Sequence, residues 1–382
     1  MSTMPEDWMN IPNTMKAAVL AGTDPSLSLM EIPTPSPGPG EVLVRVIACG
    51  VCHTDLHVIR SEVGFPRPAV LGHEVSGTIV ALGDGVHEQG LRTGEDVISG
   101  FIMPCTECDA CLRGRDDLCV RFFQQNRLQG TLYDGKSRLT MPDGSFLAMY
   151  SMGGLAEYAV IPASAVTPIP DGLDAADACI LGCAGLTSYG AAFRQGRIEP
   201  GMTVAIVGVG GIGSSLIPMA AAAGATRIIA VDIVEEKLAN ARGLGATDTV
   251  DARDTDPVEA VRSMTTAGVD VAFEALGNPA TFAQAVGMLA DGGRMVAIGI
   301  APAGSAAEVE ITPVVRRGLE IVGSYGGRTR TDLPEVARLA ASGTFDVTSL
   351  ITRRYALDDA PAAYDDLAAG RITGRAIVSM AR

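Results

Sequence analysis

The segment Thr203–Gly213, TVAIVGVGGIG, constrains this chain more than any other. An apolar, strand-forming run passes straight into Gly208, Gly210 and Gly213 at G-x-G-x-x-G spacing, with Gly211 and Ile212 inside the turn. The first glycine permits the turn, the second lets a pyrophosphate approach the backbone, and the third lets the next helix pack on the strand. The start of that helix offers free N–H groups and a partial positive charge. Asp232 ends the next strand, 19 residues after Gly213. A carboxylate there accepts from both ribose hydroxyls and repels a 2′-phosphate, and Ile233 supplies no cation, so the pattern favours NAD over NADP. The plain alternative is a ligand-free glycine turn with Asp232 as a helix cap.

Around this motif the chain alternates apolar strands with helices. Strands are expected at Thr203–Val207, Arg227–Val231, Asp270–Glu274, Arg294–Ile298 and Glu320–Gly323, and helices at Glu235–Leu244 and Pro279–Leu289. That is the βαβ pattern of a doubly wound parallel sheet. Pro218 falls within the helix after the glycine turn, where it removes a backbone bond and favours a kink. Met15 to about Ile169 is different. Glu41–Ala48, Val75–Leu82 and Ala156–Ile161 alternate like strands, with Pro and Gly clusters between them. Asp174–Arg194 and Leu333–Ser342 read as helices, and Ala376–Met380 as a terminal strand.

Hydrophobic residues make up 47% and aromatics 4%, so the core must be built from aliphatic side chains. A net charge of −15 argues against nucleic acid and anionic membranes as partners. No apolar run reaches the ~18 residues a span requires, and Met1–Lys16 lacks an apolar signal core. A mobile leader before the strand near Met15–Leu20 and a cytoplasmic location are the expectations.

Cys105, Cys108, Cys111 and Cys119 follow C-x2-C-x2-C-x7-C in a polar segment. Four thiolates this close can close a tetrahedral Zn²⁺ site of the structural kind. An Fe–S cluster is the runner-up, and a set of buried thiols the bland reading. Cys52 in CGVCHTDLH, His73 and Glu74 in GHE, and Cys183 in LGCAGLTSYG are also metal-ligand types. Spacing alone cannot assemble them; singly, each has a core-packing alternative.

Together, CHTDLH, GHE, the four-cysteine lobe, GCAGLTSYG, the glycine turn and the acid beyond it resemble the zinc-containing medium-chain alcohol dehydrogenases. The resemblance covers nearly the whole chain after Met15, in the same order. It implies an α/β protein: a GroES-like β-rich catalytic domain (1–184 and 325–382) and a Rossmann cofactor domain (185–324), with the active site in the cleft between them. It implies two zinc ions per subunit. Cys52, His73 and Cys183 are then the catalytic ligands, with Glu74 an alternative ligand and Asp55 orienting His73. Thr54 and His57 match the proton relay; their bland readings are a helix cap and a surface residue. His53, Thr187, Lys237 and Arg375 match cofactor-contacting positions, as do Ile298 and Ile300.

By motif offset, Val63, Phe101, Met149, Tyr150 and Ile300 are candidates to line an apolar pocket. Such a pocket suits a primary, allylic or aromatic alcohol, or its carbonyl, rather than a polyol. The alternative within the family is a glutathione-dependent formaldehyde dehydrogenase or another specialised zinc enzyme. Gly130–Tyr150 resembles an insertion of the liver-type branch and CHTD the yeast and bacterial branch, so a homodimer or a homotetramer is implied. A zinc-independent enone reductase lacks the three ligands, and a retired, non-catalytic fold need not keep them.

Overall fold

The computed structural model describes residues 11–22 and 24–380. The first ten residues of the expected leader lie outside these. Two units divide the chain. The first holds the chain through Cys183, together with Arg328–Ala341 and the chain from Ile351 onward; the second holds Ala184–Gly327 and Ser342–Leu350. The expected partition placed 1–184 and 325–382 in the first unit, whereas the contacts give Ala184, Tyr325–Gly327 and Ser342–Leu350 to the second.

The first unit is β-rich. Its larger sheet is built on the strand Glu41–Val51, whose central residues are buried along nearly their whole length. That strand pairs antiparallel with Val75–Leu82, with Tyr158–Pro162 and with Arg375–Ser379. A strand flanked on both sides and buried on both faces should read as a nearly unbroken apolar run, and EVLVRVIACGV does. The last strand enters from the far end of the sequence, pairing Ala376 with Val51 and Ser379 with Ala48. A second sheet contains Thr14–Leu20, Leu27–Pro33 and Phe146–Met149.

The second unit contains a six-stranded parallel sheet. Its order is Asp248–Asp251, Arg227–Asp232, Thr203–Val207, Val269–Glu274, Leu289–Ala297, Glu320–Gly323. The order reverses direction between Thr203–Val207 and Val269–Glu274, and ligands of such sheets bind beyond the strand ends at that switch. Val207, Ile229, Val231, Val269, Leu289 and Met295 are buried within one core. Each aliphatic side chain so buried contributes roughly 1.5–3 kcal/mol.

Three local expectations need correction. Asp174–Arg194 is not one helix: a 3-10 turn at Asp177–Gly182 gives way at Cys183 to a helix at Ala184–Tyr189 and a π turn at Gly190–Gln195. The break has a packing cause. A Cβ on Gly182 would sit 1.9 Å from the Ser99 carbonyl, so this backbone is pressed against its neighbour and cannot coil freely. The strand expected at Arg294–Ile298 begins earlier, at Leu289, with a register shift between Val269 and Val271 of its partner. The edge strand Asp248–Asp251 was not anticipated, because only Val250 of its four residues is buried and no apolar alternation announces it. Pro218 sits inside a helix that runs from Gly211 to Ala222 as a single element.

Candidate metal and cofactor sites

Strand register brings the first constellation together. Gly50 donates its N–H to the Glu74 carbonyl at 2.8 Å, and Cys49 stands opposite Val75. His73 and Glu74 therefore meet the end of the strand that leads into Cys52. Only glycine fits at position 50, since a Cβ there would lie 2.2 Å from Glu74 Oε2. The break after Gly182 delivers Cys183. The candidate ligand atoms of Cys52, His73, Glu74 and Cys183 all lie within 4.8 Å of one another, and all four residues are buried.

The imidazole is oriented from behind. His73 Nδ1 lies 3.0 Å from Asp55 Oδ1, and the Gly72 N–H reaches the same oxygen at 3.3 Å. An ionised carboxylate can only accept, so Nδ1 carries a proton, and Nε2 is the nitrogen that would give up its own to a metal. Nε2 is 3.9 Å from Glu74 Oε1. Burial opposes charge on His73, but the Asp55 carboxylate and the Cys52 sulfur outweigh it and raise its pKa to about 10. A hydrogen bond from Cys183, with His73 beside it, holds the Cys52 thiol well below its ordinary value. The bond to Cys52 and burial push Cys183 up.

Two sulfurs competing for one proton fit a site built for a divalent cation, which holds both as thiolates. Burial raises Glu74 to about 7 against the pull of Arg375, whose Nη2 donates to Glu74 Oε1. Glu74 Oε2 is buried with no hydrogen-bond partner among the described residues.

The second constellation is also assembled. Cys105 and Cys111 sulfurs are 4.0 Å apart, as are those of Cys108 and Cys119. A tetrahedron with metal–sulfur bonds of ~2.3 Å has edges of about 3.8 Å, close to both of these separations, and all four ligand atoms lie within 4.8 Å of one another. The Cys105 N–H points at Cys119 Sγ (3.3 Å) and the Cys108 N–H at Cys105 Sγ (3.4 Å). Burial pushes Cys119 up to about 11, whereas for Cys108 backbone and thiol hydrogen bonds outweigh burial and lower it to about 6. A cation among them would hold all four as thiolates.

In the second unit the glycine turn has the backbone its motif demands. Gly208 has φ +87°, and a Cβ on Gly213 would lie 1.9 Å from the Gly208 carbonyl. Asp232 Oδ2 accepts from the Val209 N–H at 2.9 Å, while Oδ1 accepts from Ile233 and Val234. The carboxylate thus ties the turn to the strand, and its roughly four acceptor positions are not exhausted by three donors. We expect Gly213→Ala to open the turn and weaken binding of a reduced nicotinamide dinucleotide by about 10-fold or more, since misplacing backbone donors costs at least ~1.4 kcal/mol. Fluorescence titration checks this, with zinc content unchanged.

The Alcohol dehydrogenase GroES-like domain family matches residues 38–171, and the Zinc-binding dehydrogenase family matches 211–342. Alcohol dehydrogenase 6 of Rattus norvegicus is 34% identical over 365 residues, covering 93% of this chain and 95% of its own length. The chain belongs to the zinc-containing medium-chain alcohol dehydrogenase family. The probable S-(hydroxymethyl)glutathione dehydrogenase 1 of Schizosaccharomyces pombe is also 34% identical, over 96% of this chain and 97% of its own. Benzyl alcohol dehydrogenase from Acinetobacter calcoaceticus has the same fold, with a TM-score of 0.90 and 31% identity over 97% of this chain and all of that one. Solved structures of this fold include complexes with NAD and with NADP. Zinc and a nicotinamide cofactor are therefore family properties.

The remaining site residues of this zinc-family dehydrogenase fall into three places. On the helix His53–Ile59, Thr54 Oγ1 is 3.6 Å from Cys52 Sγ, His53 is exposed, and the half-exposed His57 pairs with Glu62. The Phe101 and Tyr150 rings each stand edge-on to His73 at 6.0 Å between centroids. Val63 is exposed on the surface, and Met149 is fully buried in its strand. In the second unit, Thr187 is buried in its helix; Lys237 and Ile298 are half-buried, and Ile233 and Ile300 exposed.

Arg375 lies in the first unit, buried against Glu74. Sequence reasoning missed several residues that the fold brings in. Arg127 lies over the Tyr150 ring at 4.1 Å. Arg330 grips Asp116 and donates to the Cys111 carbonyl at 2.6 Å, tying the cysteine lobe to the returning chain. Glu274 accepts from Leu276, Gly277 and Thr281 and pins the turn after its strand. Tyr364 reaches Asp55 from 309 residues away. None carries a motif, and Arg330 and Tyr364 act over 214 and 309 residues. Among the described residues no helix is long and apolar enough to cross a membrane.

Proposed function

We propose that the protein is an NAD-linked zinc dehydrogenase that interconverts a primary, allylic or aromatic alcohol and its carbonyl compound. The observation carrying this is the convergence of Cys52, His73, Glu74 and Cys183 within 4.8 Å in a buried, ring-lined site. Cys52, His73 and Cys183 hold the catalytic zinc, and Cys105, Cys108, Cys111 and Cys119 hold a second, structural one. Zinc at the first site supplies a Lewis acid that acidifies an alcohol or polarises a carbonyl, and the nicotinamide carries the hydride. The chain's own residues do the rest. Asp55 fixes the His73 tautomer. Thr54, next to Cys52, would relay the alcohol proton, its hydroxyl giving up one proton as it accepts another, and the partly exposed His57 would release one to solvent. Phe101 and Tyr150 present apolar edges that suit an aromatic or allylic group. Asp232, followed by the uncharged Ile233, favours NAD over NADP.

The test is a panel of aliphatic, allylic and aromatic alcohols and aldehydes, followed by nicotinamide absorbance with NAD(H) and NADP(H). Oxidation of benzyl-type alcohols with NAD supports the reading; a clear preference for NADP or for polyols contradicts it. The fission-yeast relative supplies a second reading, S-(hydroxymethyl)glutathione as substrate, and formaldehyde with glutathione belongs in the same panel.

The reading includes a homodimer or homotetramer. The strand Glu320–Gly323 lies at the open edge of its sheet, and Ile311 and Val315 of the nearby helix are 79% and 73% exposed. An open edge flanked by apolar side chains is a pairing surface. Light scattering should give at least twice the 39.4 kDa of one chain.

A further inference from the structure

We propose that Tyr364 is a positioning residue of the Cys52–His73–Cys183 centre, holding Asp55 so that Asp55 can hold His73. The proposal rests on the reading of those three residues as metal ligands and goes one shell further out.

The local sequence explains how a tyrosine arrives there. The helix Ala360–Ala368 has Pro361 in its first turn and buries Ala360, Ala363, Tyr364 and Leu367, one face at i, i+3, i+4, i+7 spacing. That face packs on the helix His53–Ile59 and the strand Glu41–Val51, the two elements that flank Cys52. Tyr364 is buried, and its hydroxyl donates to Asp55 Oδ2 at 3.0 Å.

Asp55 has no exposed surface. Its Oδ1 receives the His73 Nδ1–H and the Gly72 N–H, and its Oδ2 receives the Tyr364 hydroxyl. One carboxylate is thus clamped between a metal-facing imidazole and a phenol from the far end of the chain. Burial and the Asp55 charge push the Tyr364 hydroxyl well above its ordinary pKa, so it remains a donor. Removing that donor leaves a buried carboxylate oxygen unpaired in a low-dielectric setting, which is costly. The carboxylate then rotates or takes up another partner, and the His73 ring loses its fixed plane. Partners of this kind typically govern 10- to 100-fold in metal affinity.

The test uses full-length, zinc-loaded protein carrying Tyr364→Phe, which keeps the ring and removes only the hydroxyl. Chelator competition reads the affinity of each zinc, with the four-cysteine lobe as an internal reference. Cobalt substitution reads the ligand field at the His73 site. The expected result is a loss of about 10-fold or more in affinity at the His73 site, an altered cobalt spectrum, and an unchanged lobe. Leu367→Ala, one turn further along the same buried helix face and with no polar group to offer Asp55, separates packing from positioning. It should lower the melting temperature and leave the His73-site affinity within twofold.

Wild-type affinity and spectrum in Tyr364→Phe overturn the proposal, and so does an equal loss of affinity in Leu367→Ala. A wild-type chain that takes metal only at the lobe overturns the underlying ligand reading, and this proposal with it.

Discussion

Replacing His73 with Ala should leave a folded chain that holds one zinc instead of two and has lost at least ~10³-fold in turnover. In the proposed centre the imidazole would be the one neutral ligand beside two thiolates, and it is the side chain that the buried Asp55 carboxylate orients. Removing it leaves Asp55 buried without its His73 partner and leaves Cys52 and Cys183, with Glu74 beside them, to hold a cation. Lewis-acid assistance is worth several kcal/mol, and each 1.36 kcal/mol is a decade in rate, which sets the magnitude. Elemental analysis with initial rates on a benzyl-type alcohol measures both effects. A variant that keeps two zinc ions and wild-type turnover would remove His73 from the mechanism.

The second large effect falls on stability rather than on rate. Cys119→Ala should release the structural zinc and lower the melting temperature by roughly 10 °C. The lobe around it has little apolar material to hold it: Leu112, Leu118 and Val120 are exposed. Its shape depends on four sulfurs and on Arg330, which clamps Asp116 and the Cys111 carbonyl. Losing one thiolate uncouples the metal and leaves the other three buried or half-buried without a counter-charge. Breaking a buried charge cluster in this way costs roughly 3–5 kcal/mol, and in a domain this large each kcal/mol shifts the midpoint by about 2–4 °C. Calorimetry alongside zinc analysis checks it. An unchanged midpoint with one zinc lost would make the lobe dispensable to the fold.

What could be read from the chain, and what could not, follows from the range of each interaction. The glycine turn is local: strand, turn and helix lie within about twenty consecutive residues, and strands such as Thr203–Val207 and Val75–Leu82 were legible to the residue. The four-cysteine lobe is local too, because its ligands fall within 15 residues. The Cys52, His73 and Cys183 centre is different. Its assembly needs the register of Glu41–Val51 against Val75–Leu82 and a backbone break at Cys183, neither of which has a periodic signature. Resemblance to a family suggested that centre; geometry brought it together. Tyr364 and Arg330 act over 309 and 214 residues, and no motif marks them. The polar edge strand Asp248–Asp251 was invisible because an edge strand buries too little to impose alternation.

Anomalous scattering at the zinc absorption edge, from crystals of the purified protein, tests the central claim most directly. Two peaks per chain are expected. One should lie among the sulfurs of Cys105, Cys108, Cys111 and Cys119, and the other about 2.0–2.3 Å from Cys52 Sγ, Cys183 Sγ and His73 Nε2. A fully zinc-loaded crystal with a peak at the lobe alone, and those three side chains turned towards other partners, would contradict it.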